Sequence, residues 1–154
     1  MFRVRVDSCG NKEANMTTVE CSPKEIGRRW FEEVWNQRNV NVITELLAPD
    51  ARGHMEGGQE VVGARDFIVF HQNLLKAMPD LRISVRNVLS DGDDVCVHWE
   101  ATATHTGTAF GIPSSGRKLA FNGMTWFRVD NGVIVEGWDC WNQGGLFAQM
   151  SQAV

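Results

Sequence analysis

No stretch of this chain approaches the roughly 18 consecutive apolar residues that a membrane-spanning helix requires. The opening MFRVRVDSCG also lacks the continuous apolar core of a secretory signal. A cytoplasmic protein that does not enter a membrane is therefore expected. Basic residues are not in excess: 15 Lys and Arg stand against 19 Asp and Glu, for a net charge of −4. That balance argues against nucleic acid or an anionic membrane surface as partner, because both favour a basic face. Cysteine is sparse, at Cys9, Cys21, Cys96 and Cys140, with no CxxC and no Cys/His pair at zinc-ligand spacing. Free thiols and no metal are the expectation, as in a reducing compartment. A Ser-His-Asp order, a Walker loop and a dinucleotide fingerprint are all missing. Gly107, Gly111 and Gly116 lack the spacing and the strand–helix setting that phosphate binding needs.

What is present suits one globular domain. The 154 residues are 43% apolar and 22% charged, enough for a proper core. Residues 1–20 carry little periodic signal and are expected to form a mobile arm, or an added edge strand through Phe2, Val4 and Val6. Met16 is a candidate second start. The domain proper is placed at 21–154. Its first helix opens with Ser22 as N-cap, Pro23 at the first helical position and Glu25 three residues on, a capping box. Ile26, Trp30, Phe31, Val34 and Trp35 follow at helical spacing, a wide stripe suited to packing on a sheet.

A shorter helix is predicted over Val42–Leu47, capped by Asn41 and stopped by Pro49. Ala51–Glu56, with His54, reads as a short strand or loop. A third helix is expected from about Arg65 to Met78, with Phe67, Phe70, Leu74 and Met78 on one stripe and Pro79 ending it. His71 beside that stripe reads as structural or solvated. After Asp80 the apolar period changes from helical to alternating. Leu81, Ile83 and Val85 mark one strand, and Val95, Val97, Trp99, Ala101, Ala103 and His105 mark one face of the next. The loop Thr106–Gly116 leads into a final hairpin, Ala120–Val129 and Val133–Asn142, joined through Asn131-Gly132. Helices followed by a meander point to α+β, with a curled antiparallel sheet wrapped on the N-terminal helices as a cone enclosing an apolar pocket.

Two Trp, an Asp and an Asn crowd the end of the last strand. Regular alternation puts Ile134, Glu136, Trp138, Cys140 and Asn142 on one face and Asp139 on the other.

The runs AMPDLRISVRNVLSDGDDVCVHWEATATHTG, FGIPSSGRKLAFNG and DNGVIVEGWDCWNQGGLFAQM together resemble the SnoaL-like polyketide cyclases of the nuclear transport factor 2-like superfamily, relatives of ketosteroid isomerase. The resemblance spans about residues 22–150. It implies an α+β cone, often dimeric, that needs no metal or organic cofactor. It also implies a cavity carboxylate moving a proton during an aldol closure. The family's usual motif has Asp four residues after the Trp, where this chain has Asn142 after Trp138. An amide is no base near neutral pH, so Asp139 becomes the nearest candidate, re-aimed by a bulge or by the strand end.

Abstraction of a proton α to a carbonyl needs a base and a group to hold the enolate oxygen. The candidates are Asp139 as base, with His105 and Asn142 holding the oxygen, and a pocket wall of Trp126, Trp138, Met78 and His54. Alternatives stand beside each. Asp139 could be a solvated rim residue, Asn142 a backbone cap into the Gly144-Gly145 turn, His105 a loop anchor and Glu136 a structural partner. The expected function is binding of an apolar carbonyl compound, with cyclase, isomerase or lyase chemistry. A non-catalytic binding protein and a dimeric interaction module are the alternatives. A homodimer through the outer sheet face is expected from Cys96, Thr102, Ile134 and Cys140, with His98 and Glu100 at the interface if a second subunit covers it.

Overall fold

The computed structural model describes residues 21–151. The N-terminal arm and the second start site fall outside them. Helix α1 spans Pro23–Arg29 and runs without a break into a π-helical segment, Trp30–Asn36. Ser22 caps it as expected, its hydroxyl accepting from the Glu25 backbone N–H at 3.3 Å. The wider turns show at the end, where the Gln37 N–H donates to the Glu32 carbonyl five residues back. Such segments cluster at functional sites, and this one carries Trp30, Phe31, Val34 and Trp35, all buried.

Helix α2 is Val40–Leu46, not Val42–Leu47, and its cap is Asn39. Arg38, at φ 58°, ends the preceding helix, so Asn39 is the first extended residue and its side chain receives the Asn41 N–H. Strand β1 then begins at Leu47 and runs to His54, through Pro49. Pro49 is tolerated because it lies where the β1 register shifts, between Leu47 and Arg52, beyond the reach of the short strand β2 (Glu60–Val62). Helix α3 covers Gly63–Ala77. Strands β3 (Arg82–Asp91), β4 (Asp94–Thr104), β5 (Lys118–Asp130) and β6 (Val133–Trp141) form the meander, and α4 (Gln143–Ser151) closes the chain.

The strand order is β2-β1-β6-β5-β4-β3, an open curved sheet. All pairings are antiparallel except β1 with β6, so the sheet is mixed rather than purely antiparallel. Bulges or register shifts in the β1–β6, β3–β4 and β5–β6 pairings add to its twist. Helices α1 and α3 cover the concave face, where Val95, Val97, Trp99, Ala101 and Ala103 of β4 are buried as the alternation predicts. Burying each large side chain here contributes about 2–3 kcal/mol. Asn36 ties the π-helical segment to an edge strand. Its amide donates to the Ile83 carbonyl and accepts from the Ile83 N–H, both at 2.8 Å. Among the described residues no helix is long and apolar enough to cross a membrane. The expectation of free thiols holds for Cys96 and Cys140 but not for Cys21, which is in a disulfide. Cysteine usage therefore no longer supports a reducing compartment.

Candidate functional site

Between the helices and the concave face lies an apolar cavity of about 100 Å³. Its wall is built from the stripes that the helical and strand periods produce. Trp30 and Trp35 come from the π-helical segment, Phe67 and Phe70 from α3, Phe127 from β5 and Trp141 from β6. Trp30 packs on Phe67 with ring centroids 4.7 Å apart, and Trp35 meets Phe67 edge-on at 5.9 Å. Edge-to-face and tilted packing of this kind holds rings in place, so the wall is preformed.

Among the described residues, Asp139 is the only acidic one on that wall. Its position depends on a single extra residue. In the hairpin, Asp130 pairs with Val133 and Val129 with Ile134, but Arg128 pairs with Glu136. Val135 is the surplus residue of a β-bulge. Unbroken alternation would set Asp139 against Met124, which points outward and is exposed. The bulge sets it against Thr125, which is buried on the cavity face. The same slip leaves Ile134 buried inside, beside a wall that continues through Gly137, Asp139 and Trp141.

Burial pushes the Asp139 carboxyl up to about 6. The Thr125 hydroxyl, donating to Oδ1 at 2.6 Å, works against that rise, and the negative charge of Glu56 adds to it. Behind Thr125, the Trp99 indole N–H donates to Thr125 Oγ1 at 3.0 Å.

Of the other residues proposed from sequence, Met78 lies on the cavity wall and is fully buried. Trp126 and Trp138 do not. Both sit on the outer sheet face, paired across β5 and β6 with rings 4.9 Å apart. There the Trp126 N–H donates to Asp94, and the Arg128 guanidinium lies 5.6 Å from the Trp138 ring. The bulge again is the reason, since it turns Trp138 out as it turns Asp139 in.

His54 pairs with Trp138 in the β1–β6 register. His54 is among the residues lining the cavity, while its ring stacks on outward-facing Trp138 at 5.5 Å and bonds to Glu136 at 2.8 Å and Glu60 at 3.2 Å. Glu136 is thus a structural partner, the alternative considered for it. His105 is fully buried just past β4 and is not on the wall. Its Nδ1 hydrogen-bonds Ser115 Oγ at 2.9 Å, its N–H donates to Arg117 and its carbonyl accepts from Gly116, an anchor for the loop that follows. Asn142 is exposed, and its Oδ1 accepts the Gly145 N–H at 2.9 Å, capping α4. Neither His105 nor Asn142 reaches the cavity. His71, expected to be structural or solvated, is buried with one ring nitrogen on the Val34 carbonyl at 2.8 Å.

Three residues at the site were not singled out from sequence. Thr125 could have been found only by knowing the bulge. Glu56, in the loop after β1, accepts the Trp141 N–H at 3.1 Å and borders a shallow groove beside the mouth. Phe110, at φ 52° on the turn Ala109–Ile112, stands at the mouth against Phe147 at 5.1 Å and Trp141 at 6.3 Å. No group of three or more His, Cys, Asp or Glu among the described residues could hold a metal ion.

The model of the SnoaL-like polyketide cyclase family matches residues 25–150. Among solved structures, a protein from Jannaschia sp. CCS1 described as a SnoaL-like polyketide cyclase is 25% identical, with a TM-score of 0.82 over 92% of this chain and 100% of that one. IdmH from Streptomyces antibioticus, described as a polyketide cyclase, is 25% identical, with a TM-score of 0.74 over 84% of this chain and 99% of its own. AclR from Streptomyces galilaeus, described as a hydroxylase, is 26% identical, with a TM-score of 0.73 over 86% and 97%. No curated protein matches the chain. With the family model spanning most of its length and the same cone of helices on a curved sheet in these relatives, the chain belongs to the SnoaL-like polyketide cyclase family.

Proposed function

We propose that this protein binds an apolar carbonyl compound in the cavity and that Asp139 moves a proton at the carbon α to the carbonyl. One observation carries this reading: the only acidic residue of an aromatic wall, among the described residues, is aimed inward by a β-bulge. An ionised carboxylate with little solvation is a stronger base than one in water. A value of about 6 leaves Asp139 mostly ionised at neutral pH, yet able to hold a proton during turnover. Trp30, Trp35 and Trp141 line the cavity, and an indole N–H from this wall is the neutral donor this reading assigns to the developing oxyanion. An intramolecular aldol closure, an isomerisation and an elimination all begin with this proton transfer, and the two kinds of activity named for the relatives above leave the choice among them to the substrate.

The test is a pH–rate profile on cyclic and aromatic ketones. Activity rises with pH through about 6, where Asp139 loses its proton, and Asp139→Asn lowers the rate by about 10²–10⁴-fold. A binding protein without chemistry is the second reading. It is favoured by His105 and Asn142 lying outside the cavity, which leaves the oxyanion only weak donors. Ligand co-purifying in native mass spectrometry, with no rate in any assay, decides for it.

We also infer a homodimer across the outer sheet face, where Met124 is 54% and Trp126 44% exposed beside Trp138 and Cys140. Ile134 drops out of that patch because the bulge turns it inward. Light scattering at micromolar concentration should give twice the 17.2 kDa chain mass, and the monomer mass would refute the inference.

A further inference from the structure

We propose that Thr125 and Trp99 are positioning residues, a one-way hydrogen-bond relay that aims the Asp139 carboxylate and keeps it ionised. The inference rests on the reading of Asp139 as the proton-moving group and adds what sets its working range. Its direction follows from counting hydrogens. An indole nitrogen can only donate, so Trp99 Nε1 must give its proton to Thr125 Oγ1, 3.0 Å away. A threonine hydroxyl has one hydrogen. With a lone pair occupied by Trp99, that hydrogen turns to Asp139 Oδ1 at 2.6 Å. Thr125 therefore donates to the carboxylate, an arrangement that favours the ionised form.

The relay is built into the fold rather than assembled from mobile side chains. Thr125 is 4% and Trp99 6% exposed. Trp99 lies outside the cavity lining and is wedged between Phe31 and Phe121, each at 6.1 Å. Its ring reaches Thr125 only because residue 123 is glycine. A Cβ there would sit 2.8 Å from Trp99 Cζ2. Fixing Oδ1 in this way leaves Oδ2 as the oxygen free to meet a substrate proton.

Other groups around the cavity leave Thr125 as the group that opposes the effect of burial on Asp139. Glu56, from the loop after β1, acts in the opposite direction by its charge. Arg52 and His54 of β1 turn their side chains to Glu60 and Glu136. His71 of α3 points to the Val34 carbonyl.

The experiment is a titration of Asp139 by the ¹³C signal of its carboxyl carbon, in full-length protein with labelled aspartate, assigned by its disappearance in Asp139→Asn. Thr125→Val keeps the shape and removes the donor. The midpoint should rise by about one pH unit or more. Thr125→Ser keeps a hydroxyl and should restore the midpoint to near that of the unaltered protein. Trp99→Phe frees the Thr125 hydroxyl to turn away and should give a smaller rise. If Thr125→Val fails to fold, Trp99→Phe carries the test. A midpoint that stays or falls in both variants overturns the proposal, as does a Thr125→Ser variant that shifts as far as Thr125→Val. A merely structural pair would change the melting temperature and leave the titration alone. The titration needs no substrate. Failure here with proton exchange intact removes the relay, whereas a normal relay without exchange in any variant removes the catalytic reading.

Discussion

Replacing Asp139 by Asn should stabilise the protein at neutral pH and lose that advantage in acid. The reason is linkage. Burial raises the folded-state carboxyl from its ordinary 3.8 to about 6, so the folded state holds its proton more tightly than the unfolded one. Between those two values the folded state binds more protons, and stability falls as pH rises. A difference of about two pH units at about 1.36 kcal/mol each is at most about 3 kcal/mol. That destabilisation is absent below pH 4 and fully present above pH 6. Asn keeps the oxygen that accepts from Thr125 and cannot ionise, so the variant escapes it. Urea unfolding of both proteins at pH 4 and pH 8 reads the effect. The variant's advantage should be larger at pH 8 by about 2–3 kcal/mol. An advantage that does not change between the two pH values would mean that Asp139 is solvated, and would refute the reasoning about the cavity.

Gly123→Ala should destabilise by about 3 kcal/mol or more, because its Cβ would lie 2.4 Å from the Trp141 Cβ and 2.9 Å from the Cys140 carbonyl oxygen. Thermal melting checks it, and the variant should also disorder the wall at Trp141. Asn36→Ala leaves the Ile83 N–H and carbonyl without the partners they have now. The expected loss is about 2–4 kcal/mol in urea unfolding, with faster amide exchange along β3. The bond to Glu136 first, and the charge of Glu60 after it, hold the His54 imidazole above its ordinary value of 6.5. Its contribution is fully present below that value and fades as pH rises past the raised one. His54→Ala should therefore lower the melting temperature more at pH 6 than at pH 9, and an equal loss at both would contradict the pairing.

Much of the fold was written in local signals. The Ser22-Pro23 cap and the alternation in β4 each rest on residues a few positions apart, and each appears in the structure as expected; the Trp30 and Trp35 stripe is buried too, but on π-helical turns and as part of the cavity wall. The Asn131-Gly132 turn fixed the hairpin for the same reason. The parallel pairing of β1 with β6 joins segments some 80 residues apart, which no local period encodes. Pro49 suggests a helix stop, because a proline in a strand is recognisable only once the register around it is known.

The site was harder to read because one residue decides it. Val135 looks like any other strand valine, yet its bulge exchanges the faces of Asp139 and Trp138. Alternation groups Trp138 with Cys140 and sets Asp139 opposite them, but it does not say which of those faces is inside; aromatic character alone points to Trp126 and Trp138 as pocket wall, and the structure places both outside. Chemistry alone still points to Asp139, the nearest group in the motif able to act as a base. Residue type alone points to His105 and Asn142. Their structural roles as loop anchor and helix cap rest on backbone partners that a sequence does not display.

Deuterium exchange at the α-carbon of small ketones tests the central claim most directly, since it requires proton abstraction and nothing further. The measurement compares the unaltered protein, Asp139→Asn and Asn142→Asp at pH 7. The account predicts exchange well above buffer for the unaltered protein and a loss of about 10²–10⁴-fold in Asp139→Asn. Asn142→Asp should change little, because that side chain caps α4 outside the cavity. Exchange no faster than buffer in all three proteins would contradict the assignment of Asp139 as a base.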